Sequence, residues 1–108
     1  MKVSVFCGLG LSTSIVVKKI RKEAESQGIN LEIDAYSLND LEFCSQGADL
    51  ILLGPQVRNQ INTVKKACMG IPVRVISPSD YGTGNTKNIL KLILDTVEEE
   101  QNRKENIW

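Results

Sequence analysis

Along the chain the spacing of apolar residues switches repeatedly from the period of a strand to that of a helix, and the switches divide it into four units. Residues 2–7 open with Val3, Val5 and Phe6, a β-branched and aromatic run that predicts a strand. The period then lengthens. Ile15, Val16, Ile20 and Ala24, with Val17 at the margin, recur at helical spacing, while Lys18, Lys19, Lys22, Glu23 and Glu25 lie off that stripe. Ser12, Thr13 and Ser14 supply N-cap side chains for a helix that begins near Ser12, and Gly28 supplies its stop. Leu31, Ile33 and Ala35 alternate with Glu32 and Asp34, the pattern of a strand with one wet face, which predicts a sheet edge. Leu38, Leu41, Phe43 and Cys44, with Asn39, Asp40 and Glu42 outside, predict a short helical segment that ends around Gly47 and places Cys44 in the core.

The third unit begins with residues 48–53, where Leu50 to Leu53 form an unbroken apolar run closed by Gly54-Pro55, as expected of a central parallel strand beside the first. Val57, Ile61, Val64 and Cys68 fall at i, i+4, i+7 and i+11 and predict a helix that buries Cys68, with Arg58, Lys65 and Lys66 off the stripe. Gly70 and Pro72 interrupt the pattern before Val73 to Ile76, a last short strand, and residues 77–84 have the composition of a loop. A final helix from Asn85 or Thr86 buries Ile89, Leu90, Ile93, Leu94 and Val97. Residues 98–108 read as a solvated, fraying extension of a single domain spanning 1–108, with Trp108 loose at its end.

Strand and helix thus alternate four times with short connections, which predicts an α/β fold: an open, parallel, four-stranded sheet with helices on both faces. Ligands of such sheets bind beyond the carboxyl ends of the strands. The turns after strands one, three and four therefore share a rim: Cys7 to Ser14, Gly54 to Gln56, and the loop around Tyr81.

Charge and composition narrow the chemistry. Lys plus Arg and Asp plus Glu both number 13, so neither a nucleic acid nor a membrane surface is an expected partner. No segment has the length of a signal peptide core or a membrane span, so a cytoplasmic, soluble protein is expected. The chain has three cysteines, with no C-x-x-C pair, and no histidine. That set argues against a metal site and a redox pair, and a Cys-His hydrolase cannot be assembled from it.

Cys7 stands apart, because it lies at the expected strand-to-helix turn, just before Gly8-Leu9-Gly10-Leu11-Ser12-Thr13-Ser14. Such a turn gathers unpaired backbone N–H groups at the positive end of a helix dipole, where an anion, a thiolate included, is stabilised. The N–H groups of residues 8–14 could form a nest around a phosphate, Gly8 and Gly10 giving the backbone freedom and Ser12, Thr13 and Ser14 adding hydroxyls. Glycines and serines alone read equally well as a tight turn and a cap; the thiol is what points to phosphoryl chemistry. The loop is phosphatase-like, but protein tyrosine phosphatases place an arginine after Cys and five further residues, and here that position is Thr13. Without the guanidinium clamp, and without histidine, a phosphocysteine is expected to be a carrier passed between partners.

The segments Phe-Cys-Gly-Leu-Gly-Leu-Ser-Thr-Ser at 6–14, Leu-Leu-Gly-Pro-Gln-Val-Arg at 52–58, Ile-Pro-Val at 71–73 and Asp-Tyr-Gly at 80–82 resemble enzyme IIB of the lactose/cellobiose/chitobiose class of the sugar phosphotransferase system (PTS). The resemblance covers residues 2 to 97, and Leu-Leu-Gly-Pro-Gln narrows it to this class. It implies that Cys7 takes a phosphoryl group from a phosphohistidine of enzyme IIA. The phosphocysteine would then phosphorylate a sugar bound to the membrane enzyme IIC, with no cofactor. It further implies that residues 8–14 are the phosphate loop and that Gln56 and Tyr81 face it as polar neighbours. Leu9 and Leu11 would either form a water-excluding docking surface beside the thiol or fold inward. Arg58 could pair with acidic groups of a partner or simply be solvated. Balanced charge and the lack of surplus apolar stripes suggest a monomer. The alternative function is a phosphorylatable IIB-like regulatory domain without sugar transfer, and a redox thiol protein is a third reading.

Overall fold

The computed structural model describes residues 1–7 and 10–105, with the backbone alone for residues 10–12 and 44. The elements run β1 (Lys2–Cys7), α1 (Gly10–Ser26), β2 (Glu32–Ser37), a 3-10 turn (Leu38–Asp40) leading into the short α2 (Leu41–Cys44), β3 (Leu50–Leu53), a 3-10 helix (Pro55–Gln60) leading into α3 (Ile61–Ala67), β4 (Val73–Val75), α4 (Pro78–Thr83) and α5 (Thr86–Glu105). The four strands form one parallel sheet in the order β2-β1-β3-β4. The α/β architecture is the expected one, with β1 and β3 adjacent at the centre and β2 at an edge.

Alternation along the central strands explains the two layers. Val3 and Val5 of β1 and Leu50 and Leu52 of β3 point to one face, where they pack against Val16, Val17, Ile20 and Ala24 of α1 and Ile89, Leu90 and Ile93 of α5. Phe6, Ile51 and Leu53 point to the other face and meet Val57, Val64 and Cys68. All four residues of β3 are buried, which is why its sequence shows no alternation. β2, by contrast, keeps Glu32 and Asp34 in water, and Arg21 of α1 reaches Asp34 at 3.2 Å. Cys68 is buried, as its place on the apolar stripe predicts. The Cys44 side chain lies outside the described residues.

Four local expectations are corrected. First, α1 begins at Gly10, so Thr13 and Ser14 sit inside the helix instead of capping it. Second, the phase of α1 is rotated: Thr13 and Val17 face the sheet, whereas Ile15 is 59% exposed. Each residue advances the helix by about 100°, so Ile15 lies roughly 200° round from Thr13 and cannot share its buried face. Third, the stripe from Val57 to Cys68 is not one helix. Val57 has φ −117° and ψ 20°, non-helical values, and the segment is a 3-10 helix followed by α3. Fourth, residues 78–83, expected in a loop, form α4. Ser77 caps it by accepting a hydrogen bond from the Asp80 N–H at 3.0 Å, Pro78 sits in the first turn, and Gly84 closes it at φ +63°.

α5 continues as far as Glu105, and Arg103 pairs with Glu100 at 2.7 Å on its last turns. Among the described residues, no helix is long and apolar enough to cross a membrane.

Candidate active site

Cys7 ends β1, the strand flanked by partners on both sides. Across from it in the register is Ser37 of β2, and the preceding residue, Phe6, accepts a hydrogen bond from the Gly54 N–H at 2.9 Å, just beyond β3. Held in this way between two strands and two layers, Cys7 is buried. Gly8 and Leu9 lie outside the described residues, as do the side chains of Leu11 and Ser12. The two ways of placing Leu9 and Leu11 therefore fall outside the described residues as well.

The chain re-enters on α1, and Thr13 on its first turn is fully buried against the sheet. Its hydroxyl donates to the Cys7 Sγ across 2.7 Å. Ser14, one position on, is turned to the exposed side. The structure thus places a hydroxyl on the sulfur at the position where a phosphatase carries its arginine.

Tyr81 reaches the same point from the other end of the chain. It belongs to α4, not to a loop, and its Oη lies 2.9 Å from the Thr13 Oγ1. Its ring is half-buried against the larger apolar layer. α4 is secured to α5 by Asp80, whose carbonyl accepts from the Asn85 N–H at 2.9 Å and whose carboxylate accepts from the Asn88 amide at 3.1 Å. The rim residue expected from topology is therefore brought to the site, but through Thr13.

Gln56 arrives by a third route. A Cβ placed on Gly54 would lie 3.2 Å from the Cys7 Cβ and 2.8 Å from the Gln56 Oε1, so the Gln56 side chain folds back over Gly54 beside the cysteine. A side chain at position 54 fits only if these neighbours shift. Gly54→Ala should therefore push the Gln56 amide aside and crowd Cys7. We expect a cost of about 1 kcal/mol in stability, because the long Gln56 side chain can swing away, together with a several-fold loss of reactivity at Cys7. Thermal melts and alkylation rates of the two proteins check both numbers.

Gln56 also lines an open cleft of about 520 Å³, together with Pro55, Arg58, Asn59 and Pro78. Arg58 is exposed there and makes no ion pair among the described residues. No group of three or more Cys, Asp or Glu side chains among the described residues is placed to hold a metal ion.

The arrangement is suited to nucleophilic attack by sulfur: a single cysteine, hydrogen-bonded through its Sγ, at the carboxyl end of a central parallel strand. Sequence reasoning missed two parts of it, the direct contact of Thr13 with the sulfur and the role of Gly54. Gly54 had a legible signal, since a glycine ending a buried strand marks a close backbone approach.

Comparisons with known proteins give the family. A family model described as "PTS system, Lactose/Cellobiose specific IIB subunit" matches residues 2–92. The chain is 37% identical over 87 residues to the PTS system galactose-specific EIIB component of Lactococcus lactis subsp. cremoris (strain MG1363), covering 74% of this chain and 81% of that one. It matches the PTS system cellobiose-specific EIIB component of Lactococcus lactis subsp. lactis (strain IL1403) with the same identity and coverage. The solution structure of a cellobiose-specific phosphotransferase IIB component from Borrelia burgdorferi superimposes with a TM-score of 0.78 at 33% identity, covering 93% of this chain and 94% of that one. On these matches and this architecture, the chain belongs to the lactose/cellobiose-specific IIB subunit family of the PTS, the sugar-specific phosphotransferases.

Proposed function

We propose that this IIB subunit is a cytoplasmic phosphoryl carrier. Cys7 accepts the group from a phosphohistidine of enzyme IIA and passes it to a sugar of the cellobiose, lactose or chitobiose type held by the membrane enzyme IIC. Gly8, Leu9, Gly10, Leu11, Ser12, Thr13 and Ser14 form the phosphate-binding loop, and Gln56 and Tyr81 border it.

The observation that carries this reading is the occupant of the sixth position after Cys7, where Thr13 bonds the sulfur at 2.7 Å. A hydroxyl there leaves the phosphoryl oxygens without the fixed guanidinium that a hydrolytic site uses against developing charge. Attack by water is then slow, and the phosphocysteine lasts until an acceptor docks. The two Lactococcus relatives, equally similar to this chain and named for different sugars, support leaving the choice of sugar to the membrane partner.

The test is to incubate the protein with phosphorylated IIA and measure its mass before and after. The expected result is a gain of one phosphoryl group, located by peptide mapping to the segment that contains Cys7. A wild-type protein that gains no mass, or gains it elsewhere, overturns the proposal.

A further inference from the structure

We propose that Thr13 is a catalytic residue whose hydroxyl stabilises the Cys7 sulfur as a leaving group, with Tyr81 as a positioning residue that fixes the direction of the Thr13 hydrogen bond. This rests on the reading of Cys7 as a phosphoryl carrier and adds to it what keeps the carried group transferable.

The hydrogens available at these three atoms fix the direction of the bonds. A threonine hydroxyl has one hydrogen to give and two lone pairs to receive with, and a thiolate has no hydrogen at all. Across the 2.7 Å between Thr13 Oγ1 and Cys7 Sγ, the hydroxyl must therefore be the donor whenever the sulfur is anionic. Its single hydrogen is then committed. Toward Tyr81, at 2.9 Å, Thr13 can act only as acceptor, so the phenol donates to it. The result is a chain with one direction, from the Tyr81 O–H to the Thr13 O–H to the Cys7 sulfur. Bonds aligned in this way polarise one another. Thr13 is fully buried, so water cannot take its place on the sulfur.

The two states of the sulfur use this chain unequally. In exchange with the donor, the thiolate attacks the phosphorus of a phosphohistidine that carries a proton on its other ring nitrogen. The S–P bond forms and the N–P bond breaks. The bond pair stays on nitrogen, leaving a neutral imidazole. In the reverse step the S–P pair returns to the sulfur. A thiolate is a charged acceptor and gains strongly from a hydrogen bond, whereas the sulfur of a phosphocysteine resembles a thioether and accepts weakly. The chain therefore favours departure of the phosphoryl group over its retention.

Thr13→Val keeps the β-branched shape and removes only the hydroxyl. With phosphorylated IIA in exchange with the protein, we expect the equilibrium to move toward phosphocysteine by roughly tenfold. Onward transfer to the sugar should slow by a similar factor. Tyr81→Phe should move both quantities the same way by about threefold, since it only disorders the Thr13 donor. Thr13→Ser should restore wild-type values. A merely structural threonine would lower the melting temperature without favouring phosphocysteine.

An equilibrium for Thr13→Val equal to wild type, or displaced toward the free thiol, overturns the inference, as does a serine variant no better than the valine one. If Thr13→Val does not fold, Tyr81→Phe decides, and an unshifted equilibrium there is equally fatal. A wild-type protein that takes up no phosphoryl group instead overturns the carrier reading itself, so the two failures are distinct.

Discussion

Replacing Cys7 with serine is expected to cut phosphoryl flux from IIA to sugar by about 10³-fold or more, while the protein still folds. A serine hydroxyl is almost wholly protonated near neutrality and needs a base to attack, and this chain has no histidine to act as one. Thr13, whose hydroxyl lies against residue 7, cannot serve as that base, because a neutral hydroxyl is far too weakly basic to take the proton. Folding should suffer little. Serine is nearly the same size as cysteine, and its hydroxyl can bond Thr13 in the buried site, limiting the loss to about 1 kcal/mol. Quenched-flow assay of sugar phosphate formation, with a thermal melt of the same preparation, measures both. A serine variant with flux within tenfold of wild type would mean that phosphoryl transfer does not pass through this atom.

The second large effect is on stability. Leu52 lies at the centre of β3, fully buried between β1 and the layer formed by α1 and α5. Leu52→Ala should remove about 3 kcal/mol, the lost transfer term plus the cavity left behind, since strands on both sides prevent collapse. For a domain of this size that is a fall of roughly 12–24 °C in melting temperature. Urea unfolding followed by circular dichroism gives the value, and a loss under 1 kcal/mol would show that the layer can close over the gap. The same truncation at Ile15, which is 59% exposed, should cost less than about 0.5 kcal/mol.

That pair of leucine and isoleucine shows where the sequence could be read and where it could not. β3 was legible because its apolar run, too short for a buried helix and closed by Gly54-Pro55, fits a strand buried on both faces, and β2 because its charges alternate. Ile15 was misread because residues 15, 16 and 17 are all apolar, which leaves the helix phase undetermined by hydropathy. The buried face includes Thr13, a polar residue bonded to the sulfur, and a pattern of hydrophobicity cannot register that. α4 was legible in principle: Ser77-Pro78-Ser79-Asp80 followed by Gly84 is a cap, a first-turn proline and a stop. Its turn-like composition concealed it. At the site, Cys7 and the rim formed by Gln56 and Tyr81 follow from topology alone. The hydrogen bond that ties Tyr81 to Thr13 does not, because it spans 68 positions of sequence.

That span bears on synthesis. Cys7 leaves the ribosome well ahead of its neighbours in the fold: β1 has no β3 to lie against until Leu53 has followed, and the hydroxyl chain has no origin until Tyr81 has emerged. A nascent or truncated chain therefore carries an unsheltered thiol, without the Tyr81 hydroxyl that stands behind Thr13 in the folded protein. Parallel pairing across such separations forms slowly, after most of the chain is available. Competence is thus acquired late and all at once, and a fragment ending before α4 would be an alkylation target without being a phosphoryl carrier.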